Sequence, residues 1–280
     1  MRKDTHRVVI KTLASGSSGN ATFLQFGDRR VLVDAGVSRR KLAKGLALVG
    51  VRLADLDALL ITHGHRDHIA GLSKVLAGEF RGELMATPGA AREIEESLEM
   101  ELPFRAVKAG VEESVGELSV TPFAIPHDAA EPVGYRFSYR GFELGYATDM
   151  GRVKKEVVEA LKHCRVLMVE ANYDQEMLRW GPYPRFLKQR IAGAGGHLSN
   201  AQSRALVEAA RHEGLEQVVL LHLSEKNNQA HKAVEAVQSG VAKAVKVVAA
   251  PRKKAGETMG FEVLKQEQGE ACGGGQLALF

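Results

Sequence analysis

The chain is 280 residues long, 45% hydrophobic and 26% charged, with a formal net charge of +4 at pH 7. That length and apolar content support a full buried core in one large domain or two small ones; the slight positive excess permits a nucleic-acid partner without requiring one. No run of about 18 apolar residues is present, so a membrane span or membrane partner is not expected. The charged N-terminus, Met1 to Arg7, lacks the apolar stretch of a secretory signal. Cys164 and Cys272, outside any C-x-x-C pattern, suggest no disulfide framework and fit a reducing cytoplasm.

The predicted elements follow in order. Residues 7–13 read as a strand, Ala14-Ser15-Gly16-Ser17-Ser18-Gly19-Asn20 as a small-residue loop, and 21–26 as a second strand. Gly27-Asp28 turns the chain into strand 30–33, which ends in Asp34-Ala35-Gly36. Ser38 is placed to cap a helix over 39–49, stopped by Gly50. The apolar run 58–61 reads as a short buried strand, followed by a polar turn and a helix over 69–77. Strand 83–86 precedes a helix opened by Pro88-Gly89 and running through Glu99. Residues 104–108 and 117–125 read as strands, the second ending at Pro126-His127. A hairpin of 133–139 and 142–148 leads into Asp149-Met150-Gly151. Residues 154–162 are predicted helical and 166–169 a buried strand running into Glu170. Two helices flank the glycine-rich stretch 193–200. Strand 218–221 ends at His222, a helix capped by Asn227 or Asn228 runs to about Val241, and strands 245–248 and 260–264 close the pattern. A β-rich-then-α order occurs twice with no break in composition. It predicts one αββα sandwich of the α/β (α+β) class over residues 1–264, with a site where several strands end.

The chemistry concentrates in Thr62-His63-Gly64-His65-Arg66-Asp67-His68, where three histidines and an aspartate fall within six residues. Neutral imidazole and carboxylate are the ligands borderline divalent metals take, and they suit zinc and manganese alike. His63 and His65, one residue apart on an extended strand end, aim at one point. Asp67 and His68, after a turn, face a second point nearby. His127, Asp149 and His222 each follow an apolar strand and precede small or turn residues, which places them on the same rim. His6, His163, His212 and His231 lie in charged or helical contexts and read as bystanders.

H-x-H-x-D-H after a hydrophobic strand resembles the signature of the metallo-β-lactamase fold superfamily. The chain most resembles its YycJ/WalJ-like exonuclease family. That likeness rests on Leu13 to Asn20, the histidine cluster, Glu170 to Asp174, Tyr183 to Ile191, Gly196 to Asn200 and Leu221 to Asn228. The resemblance implies that His63, His65 and His127 hold one divalent ion, that Asp67, His68 and His222 hold a second, and that Asp149 bridges the two. It implies that Asp34 orients the histidines without ligating, and it puts Asp67 and Asp149 with His197 in the catalytic set. Its implied activity is 5′-to-3′ metal-dependent degradation of DNA in repair or replication, with RNA as a second substrate candidate. An RNase or a small cyclic phosphodiesterase of the same fold, a glyoxalase-II-like thioesterase and a metal-stabilised nucleic-acid-binding module are the alternatives. Members that hydrolyse β-lactams commonly carry a cysteine where this chain has Asp149, which counts against a lactamase. The interval from His127 to Asp149 is too short for the protruding arm of long-form tRNA-processing relatives. That from Asp149 to His222 is too short for an inserted β-CASP domain.

Substrate contacts are expected from Ser17, Ser18 and Asn20, and from Ser199 and Asn200 at a helix N-terminus suited to phosphate. His197 beside them is expected to protonate the leaving oxygen or to touch the scissile phosphate. Arg179, Arg185, Lys188 and Arg190, interleaved with Trp180, Tyr183 and Phe186, match the charge and aromatic content of a single-strand groove. After Leu264 the apolar pattern stops, and residues 265–275 read as a flexible linker. The terminal Gln276-Leu277-Ala278-Leu279-Phe280 resembles the Q-L-x-L-F peptide that docks bacterial replication and repair proteins on the sliding clamp. Gln276, Leu277, Leu279 and Phe280 would be the contacts, and Ala278 departs from the usual serine or aspartate.

Overall fold

Strands that are apolar at every position need cover on both faces, and the chain supplies it by stacking two sheets between helices. The structure is a computed structural model that describes residues 5–264; the predicted linker and terminal peptide lie outside the described residues. One sheet contains β1 (Thr5–Ala14), β2 (Ala21–Phe26), β3 (Arg29–Val33), β4 (Ala58–Leu60), β5 (Glu83–Ala86) and β6 (Phe104–Ala106) in chain order. The other contains β7 (Glu113–Val115), β8 (Leu118–Ala124), β9 (Val133–Tyr139), β10 (Phe142–Ala147), β11 (Val166–Glu170), β12 (Gln217–Leu221) and β13 (Lys246–Ala249). The closing strand β14 (Met259–Leu264) returns to pair antiparallel with β1.

Alternation along each strand sorts the core into three layers. Val8, Ile10, Leu24, Phe26, Val31, Val33 and Leu60 meet Tyr135, Phe137, Leu144, Met168, Val219 and Leu221 between the sheets. The opposite parity of the first sheet, Phe23, Leu32, Leu59 and Leu84, packs under α1 (Arg39–Ala47), α2 (Arg66–Ile69), α3 (Leu72–Leu76) and α4 (Pro88–Leu98). On the far side, Leu167, Val169, Val218 and Leu220 pack under α5 (Lys155–Leu161), α8 (Asn200–Ala210) and α9 (Ala230–Gln238). Between α5 and α8 come two short helices, α6 (Gln175–Trp180) and α7 (Arg185–Ala192). The αββα sandwich is therefore present. Among the described residues no helix is long and apolar enough to cross a membrane.

Topology positions the site. β3 to β6 run parallel, as do β10 to β13. β1 and β8, each two antiparallel steps from a parallel strand, share that strand's direction. The chain thus leaves β1, β3, β4, β8, β10, β11 and β12 at the C-terminal ends where open sheets gather ligands.

Four local expectations need correcting. The helix expected over 69–77 is split at Gly71 into α2 and α3, and α2 begins at Arg66, so Asp67 and His68 lie inside its first turn. The strand expected over 117–125 is β8, but β7 ahead of it was not expected; Gly116 takes a positive φ of 61° and turns the chain between the two. The stretch before the glycine loop holds two helices, broken at Gly181. α9 starts after Gln229 with no side-chain cap; Asn228 Oδ1 accepts from Gln229 N instead, while its amide ties Ala171 and Asn172. Ser38 and Ser199 do cap α1 and α8.

Phe137, fully buried and stacked on Phe26 at 5.7 Å, sits at the centre of the inter-sheet core. Phe137→Ala should cost about 3–5 kcal/mol in denaturant unfolding. Phe186→Ala, at a side chain 72% exposed, should stay within about 0.5 kcal/mol of the parent.

Candidate metal centre

A buried carboxylate organises the histidine cluster. Asp34 directly follows β3 and has no exposed surface; its Oδ1 accepts from Thr62 N at 2.9 Å and its Oδ2 from His68 Nδ1 at 2.7 Å. Thr62 Oγ1 lies 3.1 and 3.0 Å from the two Asp34 oxygens and 3.0 Å from His63 Nδ1. A hydroxyl that donates to Asp34 accepts from the ring, so hydrogen bonding assigns the proton of neutral His63 to Nδ1. Nε2 is then left with its lone pair, and among the described residues it is buried without a partner. Burial, and then His68 beside it, holds the His63 ring well below its ordinary pKa, hence neutral.

The neighbouring rings are oriented the same way. His127 Nδ1 faces Gly196 O at 3.2 Å, and His65 Nε2 faces Asp128 O at 3.2 Å. With those protons placed, the remaining nitrogens, His127 Nε2 and His65 Nδ1, present lone pairs to each other 3.1 Å apart. Two acceptors at that distance repel unless something positive lies between them, and His63 completes a set whose ligand atoms lie within 4.8 Å of one another. Burial also lowers the pKa of His127.

A second cluster adjoins it. Asp149 Oδ2 is 3.2 Å from His68 Nε2, and Asp149 Oδ1 is 3.3 Å from His222 Nδ1. Asp67 Oδ2 lies 3.3 Å from His222 Nε2 and 3.7 Å from His68 Nε2. Asp149 belongs to a group with His63 and His68, so it spans both sets. Burial opposes charge on His68 and His222, yet the carboxylates prevail: Asp34 and Asp149 raise His68 well above its usual value, and Asp149 leads in raising His222 to about 10. Burial likewise works against charge on Asp67, but His68 and His222 bring it down to about 2. The same field favours a divalent cation at those nitrogens, and proton and metal compete for them. Lone pairs turned inward, carboxylates between them and N–H groups turned outward fit two divalent metal ions.

Backbone conformation shows how tightly these side chains are held. Asp34, Asp149 and His222 adopt positive φ of 62°, 58° and 54°. That left-handed region is uncommon for residues other than glycine and concentrates at functional sites. Each lies at the end of a strand and turns its side chain back over the rim. Gly36 allows the first of these loops to close: a Cβ there would collide with the Asp67 carbonyl oxygen.

Glu170, at the end of β11, was not assigned a role by sequence reasoning, although an acid closing a buried strand is the signal that marked Asp149. It is fully buried, accepts from Met150 N at 2.9 Å and Leu198 N at 3.1 Å through Oε2, and meets His197 Nδ1 at 2.7 Å and His222 Nδ1 at 3.2 Å through Oε1. Burial works against charge on His197, but Glu170 and then Asp149 outweigh it and raise the ring's pKa. Asn172 adds a bond from Nδ2 to His222 O at 2.8 Å, and Ser15 Oγ accepts from His222 N at 2.8 Å.

These groups open into a cleft of about 310 Å³ lined by His65, Asp67, His127, Asp149, His197 and His222, with Ser17, Tyr183 and Arg190 at its wall. Several residues expected at the substrate lie elsewhere. Asn20 is buried behind the site, its amide 3.2 Å from Asp67 Oδ2 and 3.0 Å from His68 Nε2. Ser199 is buried in the cap of α8, and Asn200 pairs with Asn228. Ser18 is exposed beside Ser17 without lining the cleft. Arg185 and Lys188 stand on α7 outside it, while Arg190 lines it and pairs with Asp128 at 2.9 Å. Of the histidines read as bystanders, His163 and His212 pair on the far surface at 5.6 Å and His6 packs on Tyr139.

The family model of the beta-lactamase superfamily domain matches residues 29–223, which contain the whole histidine and carboxylate set. The chain belongs to the beta-lactamase superfamily. Among its relatives, the exodeoxyribonuclease WalJ of Streptococcus pneumoniae is 36% identical over 220 residues, covering 77% of this chain and 81% of that one. The exodeoxyribonuclease YycJ of Bacillus anthracis is 32% identical over 222 residues, covering 78% and 83%. The solved metallo-beta-lactamase fold protein YhfI of Bacillus subtilis shares the fold at a TM-score of 0.70 and 17% identity, over 91% of this chain and all of the other. Membership and site chemistry together make this member a metal-dependent hydrolase.

Chelation should lower the melting temperature, and zinc or manganese should restore it. Asp34→Asn, which weakens the support of His68 without removing a ligand, should lower metal affinity about 10–100-fold in chelator competition.

Proposed function

We propose that the chain hydrolyses phosphodiester bonds and removes nucleotides from the 5′ end of DNA. The observation that carries this reading is the pair of adjoining acceptor clusters, joined through Asp149, at the floor of a cleft walled by Tyr183 and Arg190. The two exodeoxyribonuclease relatives, which align over most of both chains, support DNA as the substrate and membership of a YycJ/WalJ-like family. His63, His65 and His127 would hold one ion and Asp67, His68 and His222 the other, with Asp149 shared. Bound there, two divalent ions supply a nucleophile at neutral pH and neutralise charge on the phosphate.

The chain's own residues do the rest. Glu170 holds His197 through Nδ1, which leaves Nε2 as the ring nitrogen available to the cleft. From there His197 gives its proton to the leaving oxygen of the phosphodiester. Glu170 favours the protonated ring until that transfer, a general-acid role matched to a neighbouring carboxylate. Arg190, steadied by Asp128, offers charge to a phosphate entering the cleft. Asn20 and Asn172 orient Asp67 and His222, which keeps the carboxylate and imidazole in place without touching substrate.

Digestion of end-labelled single- and double-stranded DNA, with matched RNA alongside and manganese or zinc supplied, tests the reading. Stepwise loss from the 5′ end, absent in Asp149→Ala, is the expected outcome. Cleavage of a small phosphodiester or thioester with both polymers intact would refute it. His197→Ala should lower turnover about 10²–10⁴-fold at unchanged metal content, and loss of metal would remove His197 from this role.

The terminal Gln276, Leu277, Leu279 and Phe280, outside the described residues, are proposed to dock on a bacterial sliding clamp. Deleting residues 276–280 should abolish capture by the clamp and leave nuclease activity unchanged. Retained capture would sink the assignment.

A further inference from the structure

Packing accounts poorly for the α6–α7 hairpin. α7 buries none of its residues, although Tyr183, Leu187, Arg190 and Ile191 turn one side of the segment toward the metal cleft. Trp180 and Phe186, on adjoining short helices, are 74% and 72% exposed, the two aromatic side chains among the large exposed hydrophobics of the described residues. The indole is nevertheless held. The Arg179 guanidinium lies 4.9 Å from its ring centroid, and its Nε1 donates to Glu176 Oε2 at 3.0 Å. Lys188 Nζ donates to Arg179 O at 2.8 Å, tying α7 to the end of α6.

The charge around these rings is one-sided. The segment carries Arg179, Arg185, Lys188 and Arg190 against the single acid Glu176. Among the described residues only Arg190 of these four makes an ion pair with a carboxylate. A second copy of the chain would bring the same basic surface against itself and be repelled. A polyanion with planar, stackable groups is complementary on both counts.

We propose that the α6–α7 hairpin is a stacking platform for single-stranded nucleic acid. Trp180 and Phe186 each receive a base, Arg179, Arg185 and Lys188 meet phosphates, and the strand continues past Tyr183 and Arg190 into the metal cleft. This rests on the nuclease reading of that cleft. Stacking on a ring accepts any base, so the platform binds without sequence preference.

Trp180 is the only tryptophan of the chain, so its emission reports the platform directly. A phosphorothioate oligothymidylate, which resists hydrolysis, is titrated into the wild-type protein. Indole emission should be quenched over the same concentrations at which the anisotropy of a labelled oligonucleotide rises. At about 1–3 kcal/mol per stacked base, the double variant Trp180→Ala, Phe186→Ala should bind at least roughly tenfold more weakly. Its turnover of bis(p-nitrophenyl) phosphate should be unchanged. Binding without quenching, or a double variant that binds as tightly as wild type, overturns the platform and leaves the nuclease reading standing. A wild-type dimer in sedimentation that the double variant loses assigns the face to a second copy and likewise overturns it. No oligonucleotide binding and no polymer cleavage, with the small phosphodiester turned over, overturns both.

Discussion

Imidazole lone pairs and carboxylates crowded together and buried at one floor are the constraint on which this molecule is built. The N–H groups of His63, His68 and His127 are engaged by Thr62, Asp34 and Gly196, and the opposite nitrogens converge with Asp67 and Asp149. Folding this arrangement without a cation leaves lone pairs facing lone pairs, or forces protons onto His68 and His222. Either state opposes the burial of the same groups. Metal binding removes the conflict, so stability and chemistry are coupled: the groups that activate substrate are those whose folded state most needs the ions.

The fold makes that crowding possible through direction. Strands sharing one direction deliver their last residues to one edge, and three of those residues turn through the left-handed region to bring short side chains over the rim. The strain is local and is over-determined by what surrounds it. Asp34 is held by Thr62 and His68, His222 by Ser15 and Asn172, and Asp149 by Thr148, whose Oγ1 donates to its Oδ2 at 2.8 Å. Beneath them, aromatic and aliphatic side chains of both sheets interlock, so the two halves cannot shift without moving ligands from each. His63 and His68 come from one half, and Asp149 and His222 from the other.

What the sequence made legible follows from the same physics. Histidine and aspartate at the ends of apolar strands are costly there unless they bind something, so their positions could be read directly. Asp149 stood out for that reason, whereas Asp34 was marked only by resemblance. Glu170 had the same signature but sat among Ala171, Asn172 and Tyr173 in a stretch identified only by resemblance, and its contact with His197 spans 27 positions that periodicity does not bridge. The polar loop residues failed for a different reason. Asn20, Ser199 and Asn200 look available in sequence, but each satisfies a neighbouring backbone or side chain; inward and outward hydrogen bonding have the same composition. Helix breaks at Gly71 and Gly181 were equally hidden, since a short helical segment and a continued helix differ by one turn of backbone.

A division of labour across the cleft follows from these contacts. The metal floor is built from buried, mutually braced groups and, on the proposed reading, takes a phosphate, which every nucleotide presents alike. The α6–α7 wall is built from exposed groups held by a few bonds, and its rings and guanidinium groups suit any base. On the proposed nuclease reading, an enzyme assembled this way would degrade a strand without regard to sequence. Selectivity on that reading would come from what can reach the cleft: a free end that threads past Tyr183 and Arg190, as opposed to a duplex whose bases are already stacked.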